Sequence, residues 1–373
     1  MVYYLYKIIV LRVEDEGKGG PVMNRKVTIQ DIADALGVSR NTVSKAINNS
    51  EGLADATREK ILQKAIEMGY KQFSYVSAFA SLSENTSGGD RFAPAYQGEI
   101  ALFTTMFLTQ SHFASLMLDK FQREISQLGY TMNTHRVTEE NRREMTLPIT
   151  FRPEQVKAII CIEMFDRRYD EMVCEMDVPV LFVDGPVKWS GLSLPADQLY
   201  MDNTTEITRF VGAALRRGDR HIGFVGNPEQ CQSFAERYAA FRFAMLRADE
   251  PVNEKYIIRY NHPDEIAEKL FSLDELPDIF ICANDFVAGD AMRALFSIGK
   301  SVPEDVRILG FDDSPESRHS SPTMSTVHIH TQIMAYEAVH LLMSRMKEPS
   351  LDFRTVHTQT DLIERESTEN KKA

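Results

Sequence analysis

The sequence predicts a small all-α helix-turn-helix head followed by a doubly wound α/β body. Three observations lead there. Two short amphipathic periods flank a glycine turn within residues 27–50, short apolar runs bounded by turn residues recur from residue 98 onward, and helical periods lie between those runs. With 373 residues, 43% hydrophobic and 26% charged, the chain has an ordinary globular composition and the length for two or three domains.

In the head, Ile29, Ile32, Ala33 and Leu36 recur at the i, i+3, i+4, i+7 spacing of one buried helix face. Thr28 with Asp31 supplies the N-cap, and Gly37 suits the left-handed position that ends the helix. Ser39 then caps a second helix that turns Val43, Ala46 and Ile47 inward. Its outward residues are Arg40, Asn41, Thr42, Ser44, Lys45 and Asn48, a set of donors able to reach phosphates or base edges. The tight turn at Gly37-Val38 sets the two helices at a steep angle, the arrangement that presents a second helix to the DNA major groove. A third helix, about residues 55–68, packs Ile61, Leu62, Ala65 and Ile66 behind them. The same periods also suit a helical bundle whose polar face is merely solvated.

The net charge of −12, from 42 Lys+Arg and 54 Asp+Glu, argues against nucleic acid until segments are counted. Residues 24–73 hold eight basic and six acidic residues, residues 1–23 three of each, and the remaining 300 residues carry −14. A basic head on an acidic body confines DNA contact to the head and makes binding salt-sensitive. Cys161, Cys174, Cys231 and Cys282 are scattered without metal-like spacing, which fits a reduced, cytoplasmic setting. The opening MVYYLYKIIVLRV is interrupted by Lys7, lacks a small-residue cleavage site and is too short to span a bilayer. No membrane partner is expected, and residues 1–23 read as a disordered extension or an over-long start.

In the body, the runs at 100–105, 158–164, 178–184, 221–227, 278–285 and 306–313 read as parallel strands of βαβ units. Helices between them include Phe113–Leu128, closed by Gly129, and Thr204–Arg217, closed by Gly218. Thr104, Thr105, Asp184, Asn227, Asn284, Asp285, Asp312 and Asp313 stand at the carboxyl ends of runs, the edge where open α/β sheets bind ligands. Each is also a candidate helix cap. No dinucleotide glycine motif, phosphate loop or nucleophile elbow is present, so neither an enzyme nor a bound cofactor is expected. His328 and His330 share one strand face but lack a third ligand, so no metal is expected either.

TIQDIADALGVSRNTVSKAINN, with ATREKI and GY after it, resembles the headpiece of the lactose-repressor/galactose-repressor (LacI/GalR) family of bacterial transcription regulators. Downstream, QSHFASLMLDKFQREISQLGY, YMDN, LRRGDRHIGFVGN, AERYAAFRFAM, CANDFVAGDAMRAL and VRILGFDDSPESRHSSPTMSTVHIHTQIMAYEAVHLL are similar, in order, to that family's effector-binding core. The resemblance implies a head at 24–72, a hinge at 73–97, and a periplasmic-binding-protein-like core at 98–366 before a tail at 367–373. It divides the core into an N-subdomain (about 98–217 and 328–346) and a C-subdomain (about 218–326 and 347–366), with passages near 217–220, 325–328 and 345–349.

By position it implies that Arg237, Asp312, Asn284, Asp285 and Asp184 hold a sugar or sugar derivative, with Phe113, Tyr260 and His262 as weaker stacking candidates. Arginine and carboxylate suit hydroxyls because one donates in a fork while the other accepts twice. At the DNA, Thr28 and Ser39 join the outward set of the second helix. Phe79 falls where the family places a minor-groove leucine, in a hinge that departs from the family pattern from Lys71 to Ala80. Ala240 replaces a glycine and Ala54 a serine of that pattern. The implied partners are a double-stranded operator, a small effector and a second copy of the chain, the last through helices around 113–128 and 332–346. A sugar-transport solute-binding protein shares the core architecture but has no use for residues 27–70.

Overall fold

The computed structural model describes residues 28–47, 53–54, 57–58, 60–61, 64–65, 68, 95–106, 112–188, 193–260 and 262–369. Its contacts fall into two units, residues 1–87 and 88–373.

In the first unit, α1 (Ile29–Leu36) and α2 (Arg40–Ile47) follow the expected periods. Thr28 and Asp31 form a reciprocal capping box, and Gly37 ends α1 at φ 66°, a backbone state that costs glycine nothing. Ser39 Oγ accepts from the Thr42 N–H at 3.0 Å and so starts α2. Ile32, Ala33, Val43 and Ala46 bury together with Ile61 and Ala65 of the following helical segment. Each large aliphatic side chain removed from water there is worth about 1.5–3 kcal/mol. Thr57 and Arg58 donate their N–H groups to the Ala54 carbonyl, the first backbone bonds of the third helical segment. Leu62, Ile66, Asn48, Phe79, residues 1–23, the segment 71–80 and the Ile47 side chain lie outside the described residues.

The second unit begins with β1 (Gly98–Thr104), α3 (His112–Gln127), β2 (Tyr130–Arg136), α4 (Glu139–Glu144), β3 (Val156–Ile162), α5 (Arg167–Cys174), β4 (Val180–Val183) and β5 (Asp197–Met201). It continues through α6 (Thr205–Arg217), β6 (Ile222–Val225), α7 (Gln232–Arg247), β7 (Ile257–Ile258), α8 (Asp264–Phe271), β8 (Ile279–Cys282), α9 (Asp285–Ser297), β9 (Arg307–Leu309) and α10 (Pro315–His319). Last come β10 (Thr326–Ile329), α11 (Thr331–Lys347), β11 (Thr355–Thr358) and β12 (Thr360–Ile363). One parallel sheet has the order β11-β5-β4-β3-β1-β2, a second has β7-β6-β8-β9, and β10 pairs antiparallel with β12. β1 is buried at every residue because helices cover both faces of its sheet.

Two of the expected passages between sheets move. α6 packs chiefly on α7 and β12, so the chain crosses at 202–204, before the helix, instead of at 217–220. Its apolar stripe of Ile207, Phe210, Val211 and Ala214 demands a sheet but cannot say which. Likewise β11 pairs with β5, keeping 347–358 with the first sheet, and the crossing falls at Gln359 instead of at 345–349. β10 bridges from Leu309↔Ser325 and Asp312↔His328 toward α11, which packs on the first sheet.

β2, β5, β7 and β10 to β12 escaped the apolar-run pattern. β5 is instructive: Asp197, at its start, is fully buried, accepting from Arg345 Nη2 at 3.0 Å and Arg354 Nη2 at 2.9 Å. A charge that looks like a loop residue is the rivet that holds α11 and β11 to the sheet.

Candidate functional sites

On the head, Arg40, Asn41 and Lys45 are exposed, while Thr42 and Ser44 are half-buried. The Thr28 and Ser39 hydroxyls accept from the backbone at the starts of α1 and α2. That leaves the α2 side chains as the outward donor set.

In the body, a cavity of about 260 Å³ opens between the two sheets. The lining residues stand at the carboxyl ends of strands or on the loops and helices that follow them. Met106 follows β1, Glu163 and Phe165 follow β3, Asp184 follows β4, and Met201 closes β5. From the second sheet, Ser233, Phe234 and Arg237 follow β6, Tyr260 follows β7, Asn284 and Phe286 follow β8, and Asp312 follows β9. This is the crevice that strand order creates where neighbouring connections diverge.

Arg237 is 2% exposed, which removes the reading of it as a surface helix arginine. Its Nε donates to Asn203 Oδ1 at 2.9 Å, its Nη1 donates to the Ala283 carbonyl at 2.6 Å, and the guanidinium lies 3.5 Å over the Phe311 ring. Asp312 Oδ1 stands 3.8 Å from Nη1. Burial raises the Asp312 carboxyl well above the usual range, opposed by Arg237 and reinforced by Asp285, Glu163 and Asp184. Burial also raises Asp184, although its Oδ1 accepts from the Gly185 and Ser233 N–H groups. Glu163, Asp184 and Asp312 all have positive φ, at 56°, 58° and 116°. Non-glycine residues in that region cost on the order of 1–3 kcal/mol each and concentrate at ligand sites.

Five of the six expected effector residues meet here: Arg237, Asp312, Asn284, Asp184 and Phe113. Asp285 does not. Its Oδ1 accepts from Thr326 Oγ1 at 2.6 Å and its Oδ2 from the Ser314 N–H at 2.7 Å, so it ties α9 to β10 behind the cavity wall. Asn284 both lines the cavity and caps α9, its Oδ1 accepting from the Val287 N–H at 2.9 Å. Tyr260 joins the lining, whereas His262 is exposed elsewhere.

Glu163, Ser233, Asn203 and the rings of Phe165, Phe234 and Phe286 were missed. Glu163 was within reach of the strand-end rule that selects Asp184, since it is the one polar residue near the end of the run AIICIEM. The rings carry no strand-end signal. His328 and His330 each face a carboxylate, Asp313 at 2.9 Å and Asp361 at 3.1 Å, and no metal-holding cluster occurs among the described residues.

Residues 28–72 match the bacterial regulatory proteins of the lacI family, and residues 211–368 match a periplasmic binding protein-like domain. The HTH-type transcriptional repressor PurR of Vibrio parahaemolyticus is 26% identical over 349 residues, covering 90% of this chain and 97% of the relative. The HTH-type transcriptional regulator CelR of Thermobifida fusca is 27% identical over 354 residues, covering 92% and 98%. Among solved structures, a CelR-cellobiose complex superposes with TM-score 0.63 at 22% identity, covering 91% of this chain and 99% of the other. The lac repressor dimer bound to operator and the anti-inducer ONPF gives 0.60 at 20% identity, covering 92% and 99%.

A DNA-reading head and a two-sheet ligand cleft in one chain define a ligand-responsive, DNA-binding transcriptional regulator. Head and body together are thus similar, over nearly the whole chain, to LacI-type regulators. Among the described residues no helix is long and apolar enough to cross a membrane.

Proposed function

We propose that this chain is a cytoplasmic repressor of carbohydrate-related genes. A small hydroxyl-rich effector in the cavity alters operator affinity through the hinge. The observation that carries this reading is Arg237 set against Asp312 between aromatic walls, since a fork of donors beside an acceptor matches adjacent hydroxyls. Asp184 and Asn284 complete the polar contacts, with Phe113 and Tyr260 among the aromatic lining.

On the DNA side, Arg40, Asn41, Thr42, Ser44, Lys45 and Asn48 approach the operator from α2 and its end, with Thr28 and Ser39 at the helix starts and Phe79 as a minor-groove wedge. A homodimer places two heads on the half-sites of a near-palindrome. Occupancy changes DNA affinity only because the ligand favours one arrangement of the two sheets over the other. No catalytic function is assigned.

The test uses operator duplexes selected from a random pool by the full-length protein. Arg237→Ala is expected to retain operator binding and lose all response to a sugar panel in a polarisation assay. An unchanged response in this variant moves the effector site away from the cavity.

A further inference from the structure

Arg237 is aimed by two acceptors from different parts of the body. Its Nη1 donates to the Ala283 carbonyl at 2.6 Å, just beyond β8 of the second sheet. Its Nε donates at 2.9 Å to Asn203 Oδ1, in the crossing at 202–204. Two bonds to one planar fork, with the Phe311 ring against its face, fix the rotation of the guanidinium and so the direction of the Nη2 edge that remains.

Asn203 is 1% exposed, and its amide is spent on one face of α7. Nδ2 donates to Ser233 Oγ at 3.3 Å and to Glu236 Oε2 at 2.8 Å, so with Arg237 its partners stand at i, i+3 and i+4 of the helix. Burial raises the Glu236 carboxyl, but bonds from His357, Gln232 and Asn203 outweigh it and hold the group below the usual range. Glu236 is thus an anionic acceptor for Nδ2, which leaves Oδ1 of the same amide to face Arg237. Neither Asn203 nor Glu236 lines the cavity, so both reach it only through Arg237.

The crossing that carries Asn203 is fastened in turn. Asp202 donates its N–H to the Thr358 carbonyl at 2.7 Å, and its own carbonyl accepts from Thr360 Oγ1 at 2.9 Å, which laces this crossing to the one at Gln359. A change in the arrangement of the two sheets runs through both crossings and moves Asn203 with them.

We propose that Asn203 is a positioning residue of the effector site: from within the crossing it aims Arg237 and joins the orientation of that arginine to the arrangement of the two sheets. The inference rests on the reading of the cavity as the effector site.

Asn203→Leu removes the acceptor at nearly constant volume. In full-length protein carrying isotope-labelled arginine, it is expected to shift the Arg237 Nε–H resonance, assigned by its loss in Arg237→Lys, and to speed its exchange with water. Glucose, galactose, mannose, ribose and cellobiose serve as probes. The sugar that most changes operator binding by the unaltered protein is expected to bind Asn203→Leu about tenfold more weakly and, at saturation, to change operator affinity less. Asn203→Asp combined with Glu236→Gln keeps the sum of charges and reverses one hydrogen bond. The new glutamine keeps its oxygen for Gln232 and gives its amide to the new carboxylate, whose other oxygen accepts from Arg237. This double variant is expected to restore the resonance and to bring sugar affinity within about threefold of the unaltered protein, and it decides the matter if Asn203→Leu fails to fold. An unmoved resonance in Asn203→Leu, or a sugar affinity within about twofold of the unaltered protein, assigns Asn203 to structure alone and overturns the inference. Failure of the double variant to restore either readout overturns it as well. If no sugar of the panel acts on the unaltered protein, the sugar reading falls, and the resonance alone decides the role of Asn203.

Discussion

The head and the body are built on opposite rules about charge. In the head, the buried residues among those described are Ile32, Ala33, Val43, Ala46, Ile61 and Ala65, and the exposed Arg40, Asn41 and Lys45 stand outside that core. In the body, Asp170, Asp184, Asp197, Arg237, Asp285 and Arg345 are all buried. A surface that reads a polyanion needs solvated, mobile donors held on a small rigid core. A cleft that recognises a small molecule needs its polar groups already dehydrated and aimed, which demands a large framework to hold them. The same substitution type therefore acts on binding in the head and on stability in the body.

The largest expected effect is at Asp197. Asp197→Ala leaves Arg345 buried without its carboxylate and is expected to destabilise the body by about 3–5 kcal/mol in denaturant unfolding. A loss under about 1 kcal/mol would break the contrast between the two regions.

Next is Asp170, fully buried with neither carboxylate oxygen bonded, where burial pushes the carboxyl up to about 8. The folded chain holds this proton to a higher pH than the unfolded chain, whose carboxyl titrates near the usual value. The contribution to stability is thus full below about pH 4 and is lost as pH rises toward 8. Asp170→Asn is expected to stabilise the body by about 2 kcal/mol at pH 7 and to flatten this part of the pH profile, read by thermal unfolding at several pH values. Destabilisation at neutral pH counts against a protonated Asp170.

In the head, Arg40→Ala and Lys45→Ala are expected to cost about 1–3 kcal/mol of operator discrimination, while stability moves by no more than about 0.5 kcal/mol. Equal losses on all DNA sequences would assign them to phosphate alone. The smallest effect is Thr28→Ala, which removes one side of the capping box and should lower head stability by about 1 kcal/mol, measured as loss of helix signal on heating.

Legibility followed the same divide. The capping box at Thr28 and Asp31, the left-handed Gly37 and the Ser39 cap are local, each set by residues within four positions, and all three are read directly from sequence. In the cavity, Asp184, Asn284 and Asp312 obey a strand-end rule, but that rule could not separate Asn284 from Asp285, adjacent in sequence and facing opposite sides of the wall. Nor could it find Phe234 or Phe286, which enter through the start of a helix whose rotation is set by packing.

By itself the sequence determined the head, the alternation of strands and helices, and the resemblance to a family of regulators, because these depend on local periodicity and on residue types at short spacing. Only the tertiary structure decided which sheet α6 and β11 join, that Asp197 is a buried rivet, that Asp285 is spent on Thr326 and Ser314, and that Glu163 lines the same cavity as Arg237. Those facts depend on which surfaces bury each other and on charges meeting across more than a hundred residues of chain, a long-range balance of desolvation and pairing with no local signature.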